Sequence, residues 1–338
     1  MVNVAVVGTG IFATDTHLPV LQANPDITVV SCYNRTKSKA EAFAEKSGAQ
    51  KVYDTLDEVF ADPQVDAVDA LLPVQNNADV VKRAIAANKP LTIEKPIAAN
   101  LDQAREIVHA TNNSNVPVLV LENWCYRNAI AKLRELVAKI EPVAFTYRST
   151  GPFAPNNKYL NTSWRQNPEH VGGYLSDGGV HQLALLTEVL GDVKSVSALT
   201  KQLRDVSGDK DILFSTFTME SGLIGTFTYG STFGATEKKL QFEIYGTKGS
   251  IVYDFSPSLK QSKITYREGG NLDEAKEPQT IDVDEGNTIA AEFANFVDAA
   301  KTGDKSKLTC TPAAAFHHFA IVVACIESNG NVVEVAKP

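Results

Sequence analysis

The sequence predicts an α/β chain in two parts: a parallel sheet wound with helices, then a part built on longer antiparallel strands. Three observations predict it. From Val2 to about Leu121 short Val/Leu/Ala runs alternate with stretches of helical spacing, the pattern of β-α-β repetition. The first run, Val4-Ala5-Val6-Val7, passes directly into Gly8-Thr9-Gly10-Ile11-Phe12-Ala13, a glycine turn that opens a helix. Past Trp124 the runs lengthen and alternate apolar with polar residues, as half-buried antiparallel strands do.

In the first part, strands are expected at 2–7, 27–32, 66–72, 91–94 and 116–121, and helices at 38–47, 55–61, 78–87 and 101–112. Asp62-Pro63, Asn88-Lys89-Pro90 and Asn115-Val116-Pro117 punctuate them as turns. A helix at 129–140 leads into strands at 143–150, 193–203, 211–219, 223–231, 239–246 and 249–253. Glu220-Ser221-Gly222 and Gly246-Thr247-Lys248-Gly249 read as hairpin turns. A long polar segment, 151–173, precedes a helix at 176–190, and helices at 288–301 and 312–327 follow the strands. The division expected is 1–124 and 125–338.

At 338 residues the chain is too long for one ordinary core and suits two domains. A hydrophobic content of 43% with 21% charged residues describes a globular protein. The net charge of −8, with no Lys/Arg-rich block, argues against a nucleic-acid partner. No apolar run approaches a bilayer span and the first strand begins at Val2, so no membrane partner and a cytoplasmic location are expected. Cys32, Cys125, Cys310 and Cys325 are far apart and read as buried free thiols. With six scattered histidines, no metal site is expected.

The glycine turn has the G-x-G-x-x-A form and the required context of strand, turn, helix and strand, which points to a bound dinucleotide. Gly8 would permit the tight turn and Gly10 the close approach of a pyrophosphate. Thr9, Ile11 and Phe12 complete the cradle, and the helix N-terminus offers free N–H groups to the phosphates. An acidic residue ending the second strand would hold ribose hydroxyls. Here that stretch is Tyr33-Asn34-Arg35-Thr36-Lys37-Ser38-Lys39, with no carboxylate before Glu41. NADP(H) is therefore the expected cofactor. Arg35 and Thr36 are its expected 2′-phosphate ligands, with Asn34 and Lys39 beside them. The plain alternative is a solvated helix start with Thr36 or Ser38 as N-cap.

Two further motifs complete the set. Glu94-Lys95-Pro96 follows a strand, and Asp177-Gly178-Gly179-Val180-His181 opens a helix, preceded by Trp164-Arg165 and Gly172-Gly173. With the glycine turn and His17-Leu18-Pro19, this order resembles the family of glucose-fructose oxidoreductase, inositol 2-dehydrogenase and the rhizopine catabolism protein MocA. The resemblance covers most of the chain. It implies a doubly wound Rossmann domain followed by an α/β domain with a large open, mostly antiparallel sheet, and an active site between them. It also implies a homodimer or higher homo-oligomer and a small-molecule substrate.

The family's catalytic triad falls on Lys95, Asp177 and His181. Four residues apart on a helix, Asp177 and His181 would share one face. His181 would be the general acid/base. Lys95 would polarise the same oxygen, Asp177 would orient the pair, and a cis Pro96 would aim Lys95. The resemblance adds Leu72, Pro73, Asn77, Glu94, Trp164 and Arg165 on the cofactor side. Asn123, Tyr126 and Trp164 join the triad on the substrate side.

Departures from the family pattern bear on specificity. The usual histidine after Leu72-Pro73 is Asn77, and the aspartate that often stands three residues past the catalytic histidine is Ala184. The segments Leu72-Pro73-Val74-Gln75-Asn76-Asn77 and Ser176 to His181 are similar to those of a fungal branch of NADP-dependent oxidoreductases. Hydride transfer between the nicotinamide and a sugar, sugar derivative or aldehyde is expected. The competing reading is a catalytically silent NADP-binding regulatory or redox-sensing protein.

Overall fold

A computed structural model describes residues 1–156 and 166–338. The chain forms two compact units: Met1–Tyr126 with Asn287–Phe316 and Pro338, and Arg127–Gly286 with His317–Lys337.

The first unit is built on six parallel strands: β1 (Val2–Val7), β2 (Ile27–Tyr33), β3 (Lys51–Tyr53), β4 (Ala67–Ala70), β5 (Leu91–Glu94) and β6 (Val118–Leu121). Their order is β3-β2-β1-β4-β5-β6. The order reverses between β1 and β4, which places a crevice beyond the carboxyl end of β1, where open α/β sheets bind ligands. Val4 to Val7 and every residue of β4 are buried, as expected of strands covered on both faces. Helix Leu56–Ala61 starts with a Thr55/Glu58 capping box, and Asn100 caps helix Leu101–Asn112 through the Gln103 N–H. Helix Thr288–Thr302, far along the chain, belongs to this unit.

The second unit carries nine strands: β7 (Pro142–Pro152), β8 (Val193–Lys201), β9 (Ile212–Met219), β10 (Ile224–Phe233), β11 (Lys239–Gly246), β12 (Gly249–Asp254), β13 (Ser262–Glu268), β14 (Gln279–Val283) and β15 (Val332–Glu334). Their order is β14-β13-β12-β11-β7-β10-β9-β8-β15, and every pairing is antiparallel except β7 with β10. Both expected hairpins form, β9 with β10 and β11 with β12. One face of the sheet is an aromatic core in which Phe227 stacks on Tyr147 and on Phe217, ring centroids 5.2 Å apart in each case. The Tyr147 hydroxyl reaches across 3.0 Å to Gln182, fixing helix Gly173–Leu190 on that face. On the opposite face Leu199 pairs with Phe214 across β8 and β9, and both are exposed. All four cysteines are free and buried.

Candidate functional site

The glycine turn is shaped by sterics that can be checked atom by atom. Gly8 has φ of +93°, and a Cβ there would lie 2.2 Å from the Leu71 carbonyl oxygen, so only glycine fits. A Cβ on Gly10 would meet nothing within 4 Å, which leaves open space beside the turn. The Thr9 N–H donates to Asn34 Oδ1 at 3.2 Å, while the buried Thr9 hydroxyl has no hydrogen-bond partner among the described residues. Ile11 and Phe12 stay exposed at the start of the helix. A tight turn, an open approach and an orphaned hydroxyl fit a dinucleotide phosphate group. The segment that follows, Ala13–His17, is a turn of π-helix, a form frequent at functional sites.

At the end of β2, Asn34 bridges the two loops: besides the bond from Thr9, its Nδ2 donates to the Thr36 carbonyl at 3.1 Å. Thr36 is the N-cap of helix Lys37–Ser47 by position, yet its side chain makes no cap hydrogen bond. Lys37 pairs with Asp54 at 2.7 Å, whereas Arg35, Thr36 and Lys39 stand exposed.

Lys95 is half-buried just past β5, with Glu94 before it and a cis peptide bond after it. The loop is held from below by Asn77, fully buried at the start of helix Asn77–Ala86. Its Nδ2 donates to the carbonyls of Glu94 at 3.1 Å, Pro96 at 3.4 Å and Ile97 at 3.1 Å. Asn77 Oδ1 has no partner among the described residues. Leu72 is half-buried and Pro73 exposed on the loop leading to that helix. Asn123 donates to the Thr288 hydroxyl at 2.8 Å, and the Tyr126 hydroxyl donates to Asn295 Oδ1 at 2.8 Å. Burial, and then the Glu292 carboxyl, push the Tyr126 phenol well above the usual tyrosine range.

In the second unit, helix Gly173–Leu190 starts earlier than its periodicity suggests, because Gly172 and Gly173 take positive φ and let the chain turn directly into it. Asp177 therefore lies in the second turn and is not an N-cap. Leu175, Ser176, Gly179, Val180 and Gln182 to Leu186 are buried, while Tyr174, Asp177, Gly178 and His181 form a half-open stripe. The stripe brings Asp177 and His181 onto one face. Tyr174 stacks on Tyr229 at 5.5 Å, and the Tyr229 hydroxyl sits so close to the helix that a Cβ on Gly178 would lie 2.0 Å from it. Burial foremost, and then Tyr174 and the Asp177 carboxylate, raise the Tyr229 phenol well above its ordinary value. Trp164 and Arg165 lie outside the described residues.

Sequence reasoning gave no role to three groups: the Tyr174–Tyr229 pair in the second unit and, in the first, Glu292 and His17, whose ring meets Asp69 and Glu94. Tyr174 shares the helical spacing of Asp177 and His181, a signal that was there to read. The others join residues with no local relation in sequence. Among the described residues no group of histidine, cysteine or acidic side chains is arranged to hold a metal ion, and no helix is long and apolar enough to cross a membrane.

Residues 2–122 match the model of an oxidoreductase family described as its NAD-binding Rossmann fold, and residues 135–335 match that family's C-terminal alpha/beta domain. An uncharacterized protein of Saccharomyces cerevisiae is 50% identical, with 99% of each chain covered. A D-apiose dehydrogenase of Rhizobium rhizogenes is 25% identical over 73% of this chain and 72% of its own. Among solved structures, an oxidoreductase from Thermotoga maritima superposes with a TM-score of 0.88 at 32% identity, covering 99% of this chain and 98% of that one.

Proposed function

The chain belongs to the Gfo/Idh/MocA oxidoreductase family, and on that premise we propose that it is an NADP(H)-dependent enzyme moving hydride to or from a small carbonyl or hydroxyl compound, a sugar, sugar derivative or aldehyde, with His181 as general acid/base. The observation that carries this reading is the half-open stripe of Asp177 and His181 on a helix whose other residues are largely buried. A polar pair kept at the surface of so apolar a helix needs a reason, and proton transfer supplies one.

The glycine turn and the Thr9 hydroxyl would hold the pyrophosphate, and Arg35 and Thr36, with Lys39 near, the 2′-phosphate. The exposed cation at Arg35 and the uncommitted Thr36 hydroxyl support the phosphate-bearing form of the coenzyme. When bound, the nicotinamide supplies or takes up the hydride. His181 gives a proton to the substrate oxygen during reduction and takes it back in the reverse direction. Lys95 sets its positive charge against the same oxygen, and Asp177, one turn away on the stripe, orients the imidazole. The D-apiose dehydrogenase relative supports a sugar or sugar derivative within the substrate class. We also propose a homo-oligomer formed through the open sheet face, where Leu199, Phe214 and Ile224 stand exposed.

The test is paired calorimetric titration with NADPH and NADH, followed by NADPH oxidation against a panel of carbonyl compounds. Tighter NADPH binding with turnover is expected. His181→Ala should lower turnover by roughly 10²- to 10⁴-fold with NADPH binding retained. Tight binding without turnover across the panel would favour the regulatory reading, and a preference for NADH would overturn the roles of Arg35 and Thr36.

A further inference from the structure

Beneath the glycine turn, His17 occupies a fully enclosed position, 1% exposed, on the π-helical segment. Its Nδ1 meets Asp69 Oδ2 at 2.9 Å and its Nε2 meets Glu94 Oε1 at 3.1 Å. The edges of Phe12 and Phe293 close on the ring at 5.2 and 5.1 Å. Asp69 is itself fixed, its other oxygen accepting from the Thr92 hydroxyl at 2.7 Å. Thus β4, β5, the glycine turn and helix Thr288–Thr302 all converge on one imidazole.

We propose that His17 is a positioning residue: by tying the Glu94 side chain to Asp69, it sets the conformation of the Glu94-Lys95-Pro96 loop and so the placement of the Lys95 ammonium. Two of the loop's anchors act on different parts of it. Asn77 holds its carbonyls, and His17 holds the one carboxylate adjacent to Lys95. Without His17, the Glu94 carboxylate, only 19% exposed, loses its cationic partner and is left beside the buried Glu292 carboxyl. Glu94 would then swing outward and carry the loop with it. Burial opposes a charge on His17, but the Asp69 carboxylate, with Glu94, more than offsets it and raises the imidazole pKa to about 10. The clamp is therefore an imidazolium across the neutral range, with both ring nitrogens donating. Its importance for turnover rests on the role proposed above for Lys95; its effect on the loop does not.

Two substitutions separate the two halves of the clamp. Asparagine at position 17 can imitate Nδ1 and keep Asp69, while glutamine can imitate Nε2 and keep Glu94. Amide hydrogen exchange of residues 94–99, in the coenzyme-free protein at constant pH, reads the loop directly. His17→Asn should exchange at least tenfold faster there than wild type, with β6 unchanged, and His17→Gln should stay within threefold. Equal acceleration in both variants, or no acceleration in His17→Asn, overturns the proposal. Should His17→Asn fail to fold, Glu94→Ala takes its place, with the same tenfold rise expected and an unchanged rate overturning it. In turnover, His17→Asn should lose kcat with KM nearly constant, and loss in KM alone would count against positioning. A wild-type protein that turns over nothing would sink the enzyme reading, and the exchange rates would still decide the clamp.

Discussion

The side-chain amide of Asn77 donates to the backbone carbonyl of Glu94 at 3.1 Å, so a buried residue at the head of one helix supports the loop that carries Lys95. Removing it leaves buried carbonyls without donors, at a cost of about 1–3 kcal/mol for each group left unsatisfied. Asn77→Ala is expected to lower the thermal midpoint by several degrees and to cut turnover. Asn77→Asp, which presents acceptors where donors are needed, should be worse than alanine at neutral pH. Equal stability of all three proteins by calorimetry would remove Asn77 from the loop's support.

Two glycines of one turn make opposite predictions. Gly8→Ala forces a Cβ against the Leu71 carbonyl at positive φ, and the backbone strain alone costs about 1–3 kcal/mol. This variant should be markedly destabilised. Gly10→Ala meets open space, so its stability should stay within about 0.5 kcal/mol of wild type, while coenzyme affinity falls tenfold or more. Thermal melts and calorimetric titration on the same samples would check both halves, and unchanged coenzyme affinity in Gly10→Ala would show that the open space is not the phosphate's.

Gly178 lets the Tyr229 hydroxyl approach the helix beside Asp177. Gly178→Ala is predicted to lower both melting temperature and kcat, because the nearest obstacle is the end of a buried ring that stacks on Tyr174 and cannot retreat cheaply. Tyr229→Phe removes the atom that collides, so the double variant should recover part of the lost stability. The coupling between the two sites in a double-mutant cycle is the quantity to measure, and additive losses would contradict the contact.

The pH dependence of stability should carry the signs of two buried groups. His17 has a folded pKa raised to about 10 from an unfolded value of 6.5, so the stability it contributes is complete below about pH 6.5 and is lost as pH climbs toward 10. Wild type should therefore decline over that window more steeply than His17→Asn. Glu292 has its pKa raised well above the ordinary carboxyl value, first by burial and then by the Glu94 and Glu122 carboxylates. The folded state holds that proton more tightly than the unfolded chain, so Glu292 costs stability as pH rises above its unfolded value. Glu292→Gln should gain on wild type progressively from about pH 5 upward. Denaturant titrations at unit pH intervals would expose either sign if it were wrong.

The open sheet face predicts association. Phe214→Asp combined with Ile224→Asp should leave the fold intact, since both side chains are exposed in the single chain, and should shift the species seen by analytical ultracentrifugation from oligomer to monomer. A wild-type protein that sediments as a monomer at micromolar concentration would end the proposal.

What was legible in the sequence was what local pattern encodes. Val2 to Val7 feeding Gly8, and the hairpins at Gly222 and at Gly246 to Gly249, are written in adjacent residues, and they formed as expected. Lys51–Tyr53 and Val332–Glu334 escaped because three residues are too few to show alternation. Gln279–Val283 escaped because it lies at a sheet edge with little apolar surface to bury. At the site, the spacing of Asp177 and His181 sufficed to put them on one face. The His17 clamp could not be read, since Asp69 is 52 residues away and Glu94 77, and only the order of the parallel strands brings them together.

Helix Thr288–Thr302 closes the first unit and sets Phe293 against His17. A ribosome delivers the chain from its N-terminus, so the nucleotide-binding half is still missing a wall when β1 to β6 have emerged, and it stays so until β7 to β14 have been made. The half begun first is among the last to be finished. A nascent chain paused after Tyr126 would present the apolar surroundings of His17 to solvent, where a chaperone would have reason to hold it.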